Sequence, residues 1–276
     1  MPEPSSETLR FERRGPVGWL VLHRPERLNA FTAQMWDELG ALGRDVGEDP
    51  DLRALVVVGA GRAFSSGIDT SVFTTPGEGD AIGQDGEGRH PDEVVARILE
   101  VQDSFTWLEE APYPTVAAIR GYALGAGLQL ALACDVRVVA EGTQLGLLEH
   151  RYGILPDLGG TQRLPRVVGP SKALQLIVTA ARIDTAEAAR LGLADVVVAD
   201  DELERAAAAL AETIAAQPPL AVQGAKRAVR AAVSGRSVRE GLLVEAEAQA
   251  ACLRSQDMAE AITAFVEQRA PVYRGT

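Results

Sequence analysis

Val116-Ala117-Ala118-Ile119, Gly121-Tyr122-Ala123-Leu124-Gly125-Ala126-Gly127-Leu128-Gln129 and Val136-Arg137-Val138-Val139 follow one another near the middle of this 276-residue chain. The two flanking runs are short and apolar, and they read as buried strands. The stretch between them is built of small residues, which let a main chain approach another atom closely and leave its N–H groups open to a ligand. Further toward the N-terminus, Val17-Gly18-Trp19-Leu20-Val21-Leu22 and Leu55-Val56-Val57-Val58 read as two more strands. Between these two, Thr32 is placed to cap a helix carrying Met35, Leu39 and Leu42 on one face. Near-continuous apolar strands alternating with helices indicate an α/β protein whose sheet is covered on at least one face. Strand signals fade from residue 201 onward. Helices are expected over 203–216, 221–233, 239–254 and 259–269, with breaks at Pro218-Pro219 and Ser234-Gly235. The organisation is therefore a mixed part, 1–200, and a helical part, 201–276, with no repeat of fixed period.

Composition narrows the function classes. The chain is 46% apolar, ample for a substantial core, and its 39 acidic and 27 basic residues give a net charge of −12. That balance argues against a broad nucleic-acid or anionic-membrane surface, while a phosphorylated ligand can still be held by local N–H groups or a few arginines. The two cysteines, Cys134 and Cys252, are too few for a disulfide scaffold and read as buried thiols. His23, His90 and His150 show no spacing with Cys, Asp or Glu that would make a metal site. Residues 1–10 lack the apolar core of a signal peptide and no run reaches transmembrane length, so a cytoplasmic location is expected. The glycine- and acid-rich segment 74–92 has no periodicity and reads as a surface loop, with a lid over a ligand as its functional alternative.

Three polar residues then carry the chemistry. Glu149 follows Leu145-Gly146-Leu147-Leu148, surroundings that desolvate a carboxylate and raise its pKa; its plain reading is a surface glutamate paired with Arg151. Asp157 stands between Pro156 and Leu158-Gly159-Gly160, where it is either a turn residue or a second proton-transfer acid. Gln129 offers an amide, which either lines its helix or reaches a pocket.

Four motifs in order resemble the enoyl-CoA hydratase/isomerase, or crotonase, family. They are Arg24-Pro25-Glu26-Arg27-Leu28-Asn29-Ala30-Phe31, then Gly61-Arg62-Ala63-Phe64-Ser65-Ser66-Gly67-Ile68-Asp69, then the stretch from Gly121 to Asp135, then Gly159-Gly160-Thr161-Gln162-Arg163-Leu164-Pro165. The tail Ala264-Phe265-Val266-Glu267-Gln268-Arg269 is similar to the family's C-terminus. The resemblance implies a spiral of ββα repeats, a C-terminal helical region that assembles homotrimers or homohexamers, and a coenzyme A thioester as substrate with no other cofactor and no metal. It further implies an oxyanion hole from the main-chain N–H groups of Ile68 and Ala126, where each donor lowers the barrier by about 3 kcal/mol. Ala63, Ser65, Gly67, Asp69, Thr70 and Gly125 would run beside the coenzyme A portion, and Arg27 would be near a phosphate.

Within that family, hydratases carry glutamates at the positions of Gln129 and Glu149. An amide holds a water but does not accept its proton, so the substitution disfavours hydration by about 10²–10⁴-fold if that acid is the general base. Asp157 matches an aspartate of the dienoyl-CoA isomerases, so the expected activity is a double-bond shift run by Glu149 and Asp157. The alternatives are hydration of a 2-enoyl-CoA and a non-catalytic acyl-CoA-binding protein.

Overall fold

Period-two alternation within the apolar runs divides their side chains between two cores. The computed structural model describes residues 6–73 and 90–276. Its strands and helices run β1 (Leu9–Arg14), β2 (Val17–Leu22), α1 (Ala33–Val46), β3 (Ala54–Gly59), α2 (Pro91–Glu110), β4 (Thr115–Ile119), β5 (Tyr122–Leu124), α3 (Ala126–Ala133), β6 (Val136–Ala140) and β7 (Gln144–Gly146). They continue with α4 (Gly160–Val168), α5 (Pro170–Val178), β8 (Ile183–Asp184), α6 (Thr185–Arg190), β9 (Val196–Val198), α7 (Leu203–Ala215), α8 (Pro219–Val233), α9 (Val238–Leu253) and α10 (Gln256–Glu267). The large sheet has the order β1-β2-β3-β4-β6-β9, parallel throughout except for the antiparallel β1–β2 pair. On β3, Leu55 and Val57 enter the core under α1 and α2, whereas Ala54, Val56 and Val58 enter the core under α7. Both faces are covered, which is why these strands read as unbroken apolar runs.

A small second layer, β5-β7-β8, stacks beside the first. It is extended by two single-residue parallel bridges, Ser65 with Ala123 and Phe31 with Ile68. Each turn of the chain thus gives one strand to the large sheet and one short strand or bridge to the small layer, with a helix to follow. β4, β5 and α3 show the unit most clearly. This is the expected α/β architecture of ββα turns. Thr32 caps α1 by accepting from Met35 N at 3.3 Å, and Met35, Leu39 and Leu42 are buried as the periodicity requires.

Several elements carry too little signal to be read from the sequence, the short strands β5, β7, β8 and β9 and the helices α3 to α6 among them. β1 alternates apolar and charged residues, and its edge position hides it; α2 follows directly on the glycine-rich segment, so its start reads as loop. His90 accepts from Asp92 N and caps α2, with Pro91 in its first turn. The rest of that loop reading, residues 74–89, lies outside the described residues. In the C-terminal part, α7 packs Leu203, Ala207 and Ala211 into the second core, so the first of the expected late helices belongs to the sheet. α8 and α9 pack on each other beyond it. No helix among the described residues is long and apolar enough to cross a membrane.

The Arg24 to Phe31 motif is a brace. Asn29 is fully buried, donates to Ala60 O at 3.0 Å and Ala63 O at 2.8 Å, and accepts from Arg24 N at 2.8 Å. Arg24 in turn donates to Ala30 O and pairs with Asp69 at 2.9 Å. Replacing Asn29 by Ala strands these groups at a cost of about 1–3 kcal/mol for each left unmet. The expected outcome is a clearly lowered midpoint in urea unfolding, whereas a substitution at exposed Val95 leaves the midpoint unchanged.

Candidate active site

The bridge between Ser65 and Ala123 sets two turns side by side. Ser65 N donates to Tyr122 O at 2.9 Å and Leu124 N donates to Ser65 O at 3.1 Å, so the chain after each bridge residue emerges at the same edge. Gly67 follows on one side, and its backbone approaches the other turn so closely that an added Cβ would lie 2.9 Å from Leu124 O. With φ at 107°, this position excludes a side chain on conformational grounds as well. Next to Gly67 and Gly125 come Ile68 and Ala126. Neither N–H donates a main-chain hydrogen bond among the described residues, and Ala126 opens α3, where a first-turn N–H has no partner within the helix. Both residues line a cavity of about 390 Å³.

Glu149, Asp157 and Gln129 line the same cavity. Gln129, 1% exposed on the first turn of α3, donates from Nε2 to Glu149 Oε1 at 2.7 Å and accepts from Gly160 N at 2.9 Å. Its amide therefore links the start of α4 to the carboxylate. Glu149 begins a short 3-10 turn and is 8% exposed; its second oxygen, Oε2, is buried without a hydrogen-bond partner. Burial pushes the Glu149 carboxyl up to about 7; the nearby Asp157 charge adds to this, and the hydrogen bond from Gln129 offsets part of it. Burial also raises Asp157 above the ordinary carboxylate range. Asp157 is held from behind, its carbonyl accepting from Gln102 Nε2 at 2.6 Å. The pairing of Glu149 with Arg151 is not formed, since Arg151 donates to Ala180 O.

The remaining expected residues divide into wall and support. Gly67, Thr70 and Gly125 line the cavity, whereas Ala63, Ser65, Asp69 and Arg27 do not. Ala63 and Ser65 are fully buried. Ser65 Oγ donates to Asn29 O at 2.8 Å and accepts from Gly67 N, steadying the turn from behind. Asp69 is occupied by Arg24 and Ser71 N; burial raises its carboxyl, and these two partners outweigh that and hold it below its ordinary value. The sequence reading passed over Arg62 and Arg182, two cations that also line the cavity and have no ion-pair partner among the described residues. Arg62 lies within the second motif and Arg182 in none, and only the fold shows that they share one opening. The described residues contain no cluster of side chains suited to a metal ion.

The family model described as Enoyl-CoA hydratase/isomerase matches residues 12–276. The chain belongs to the enoyl-CoA hydratase/isomerase family. Among the relatives of this family member, a Mycobacterium bovis protein named as a probable enoyl-CoA hydratase is 36% identical over 97% of the chain and 98% of its own length. A peroxisomal Delta(3,5)-Delta(2,4)-dienoyl-CoA isomerase of Arabidopsis thaliana is 34% identical over 96% of the chain and 95% of its own. A Thermobifida fusca structure in complex with acetoacetyl-CoA superimposes with a TM-score of 0.83 at 38% identity, covering 90% of this chain and 95% of that one. Hydratase and isomerase names thus occur at nearly equal identity to this hydratase/isomerase-family chain, and the site must discriminate between them.

Burial of Glu149 links stability to pH. Its folded pKa of about 7 lies above the ordinary 4.5, so the folded state holds this proton more tightly than the unfolded state does. The associated stability is complete below about 4.5 and is lost as pH rises through about 7, an effect of up to about 3 kcal/mol. Glu149→Gln is expected to match wild type near pH 4 and to exceed it at pH 8, as measured by urea unfolding at the two pH values.

Proposed function

We propose that this protein shifts a carbon–carbon double bond in an enoyl- or dienoyl-CoA thioester through a thioester enolate. The carrying observation is that one cavity holds a buried carboxylate with an unpartnered oxygen, Glu149, and a second acid, Asp157, while the residue bonded to Glu149 is the amide of Gln129. The N–H groups of Ile68 and Ala126 would receive the thioester oxygen, where negative charge grows as the enolate forms. Glu149 Oε2 takes a proton from the α-carbon of a 3,5-dienoyl thioester. Electrons move from that bond through the diene, and Asp157 in its acid form delivers a proton to the ε-carbon. The product is the 2,4-dienoyl thioester. A proton returned from Glu149 to Asp157, directly or through solvent, resets the pair.

Both acids are suited to these tasks. A base with a pKa of about 7 is strong enough to act and still ionised in useful amount at neutral pH. A carboxyl raised by burial keeps more of the acid form that donation requires. Gln129 already uses its carbonyl on Gly160 N and its amide on Glu149, so it is committed to orientation and does not accept a proton from water. This weighs against hydration, the activity in the names of most of the relatives. Arg62 and Arg182 supply positive charge suited to the phosphates of coenzyme A, in keeping with the acetoacetyl-CoA complex of the Thermobifida fusca protein. The acid–base step requires no group beyond the thioester itself. Exposed Leu242, Leu243, Phe265 and Val266 on α9 and α10 support assembly into a homotrimer or a pair of trimers. The unpaired Cys134 and Cys252 suit a cytoplasmic setting.

Incubation with 3-enoyl-, 3,5-dienoyl- and 2-enoyl-CoA tests the reading. Double-bond migration is expected to dominate, with Asp157→Asn lowering dienoyl turnover by about 10²-fold or more and Glu149→Gln abolishing turnover while thioester affinity persists. Water addition as the main reaction, undiminished in Asp157→Asn, would replace isomerisation with hydration.

A further inference from the structure

Arg163 lies outside the cavity, on α4, yet it is 8% exposed and all three of its nitrogens are bonded. Nε donates to Glu109 Oε2 at 2.8 Å, Nη1 to Leu158 O at 3.0 Å and Nη2 to Thr106 Oγ1 at 3.1 Å. The fork thus ties α2 to the residue directly after Asp157. Gly159 closes the turn with φ at 92°, and a Cβ there would stand 2.0 Å from Arg163 Nη1. The guanidinium fills the space that any other residue at 159 would need.

The next residue along is the relevant one. Gly160 N donates to Gln129 Oε1, and this bond decides which way round the Gln129 amide sits. With its oxygen facing Gly160, the nitrogen faces Glu149 Oε1 and donates to it. The reversed amide would place oxygen against a carboxylate oxygen and N–H against N–H, losing both bonds. A continuous path therefore runs from Glu109 through Arg163, the 158–160 turn and Gln129 to Glu149.

We infer that Arg163 is a positioning residue for the proton-transfer carboxylate: by fixing the turn from Leu158 to Gly160 it sets the Gln129 amide that orients Glu149. The inference rests on reading Glu149 as the base, and it reaches beyond that reading to a residue outside the cavity wall. The charged groups around this path are Glu109 on α2, with Arg166 beside it at 3.1 Å and Arg230 of α8 further off. Around Glu149 they are Asp157, with Arg62 and Arg182 also lining the cavity. Loss of the fork leaves these charges in place and frees the turn. Glu149 then loses a hydrogen bond that favours its ionised form, so its pKa rises.

The test is an infrared titration of the protonated Glu149 carbonyl band, assigned by its absence in Glu149→Gln, for wild type, Arg163→Lys and Arg163→Gln. Both Arg163 variants are expected to move the Glu149 midpoint to higher pH, by about threefold or more in proton affinity. Thioester turnover at pH 7 should fall about tenfold, with KM changed far less. A folded Arg163→Lys or Arg163→Gln protein with the wild-type midpoint overturns the inference. Should both fail to fold, Thr106→Val and Glu109→Gln remove single arms of the same anchor; a raised midpoint in either supports the inference, and wild-type midpoints in both overturn it. Wild-type turnover in Glu149→Gln would instead remove the functional reading, and the titration would still decide the role of Arg163.

Discussion

A carboxylate withdrawn from water, with one oxygen bonded and the other left unpartnered, is the constraint around which this molecule is arranged. Leaving a buried polar atom unpaired costs free energy that the rest of the fold must offset. The offset comes from two apolar cores, one on each face of the large sheet, and from a braced set of turns that gives Glu149 no alternative position. α3 is buried on every side, so Gln129 cannot swing away; Gly160 is fixed at the head of α4; and the Glu149 turn starts immediately after the second layer. Within the cavity wall, the hydrogen bonds of Gln129 to Glu149 and Gly160 hold the carboxylate in this arrangement.

The same geometry distributes charge in an ordered way. Asp69 and Glu109 are held ionised by arginine partners outside the cavity, so neither competes for protons within it. Glu149 and Asp157 have no such partner among the described residues and are raised by burial. The Asp157 charge adds to the effect of burial at Glu149, so a state with both carboxylates ionised is disfavoured. A glutamate at position 129 would add a third acid in contact with Glu149. Gln129 keeps the hydrogen bond and removes that extra proton equilibrium.

Much of this was legible in the sequence. The strand runs over β2, β3, β4 and β6 were readable because both faces of the sheet are buried, and the helices after residue 200 were readable from alanine content and proline breaks. The burial of Glu149 was legible in the mostly apolar residues that precede it, and burial is what raises it, whereas its reading as a proton-transfer group came from the family resemblance. β1 was not legible, because an edge strand with charged residues on one face carries only half the signal. The roles of Ser65 and Asp69 were not legible either: a motif marks that a turn is built in a certain way, but whether a side chain faces the ligand or the chain behind it depends on the neighbouring turn of the spiral. Arg62 and Arg182 are separated by 120 positions, and only the return of the chain at β8 places both at one cavity.

The glycine-rich motifs acquire a double meaning on this reasoning. Gly67 permits the close approach of the turn carrying Ile68 to the turn carrying Ala126, which the proposed enolate chemistry would need whatever its product. Gly159 permits a different approach, that of a buried guanidinium to the turn behind Asp157, and this concerns only the proton-transfer groups. The chain thus separates two problems that meet in one cavity. On the proposed reaction, polarisation of the thioester would fall to the turns joined by the bridge between Ser65 and Ala123, and the placement of protons to the junction of α2 with α4. On that proposal, a change in α2, α4 or residue 129 would alter which carbon is protonated without disturbing how the thioester oxygen is held, and such a separation would give one scaffold a physical basis for carrying both hydratase and isomerase names.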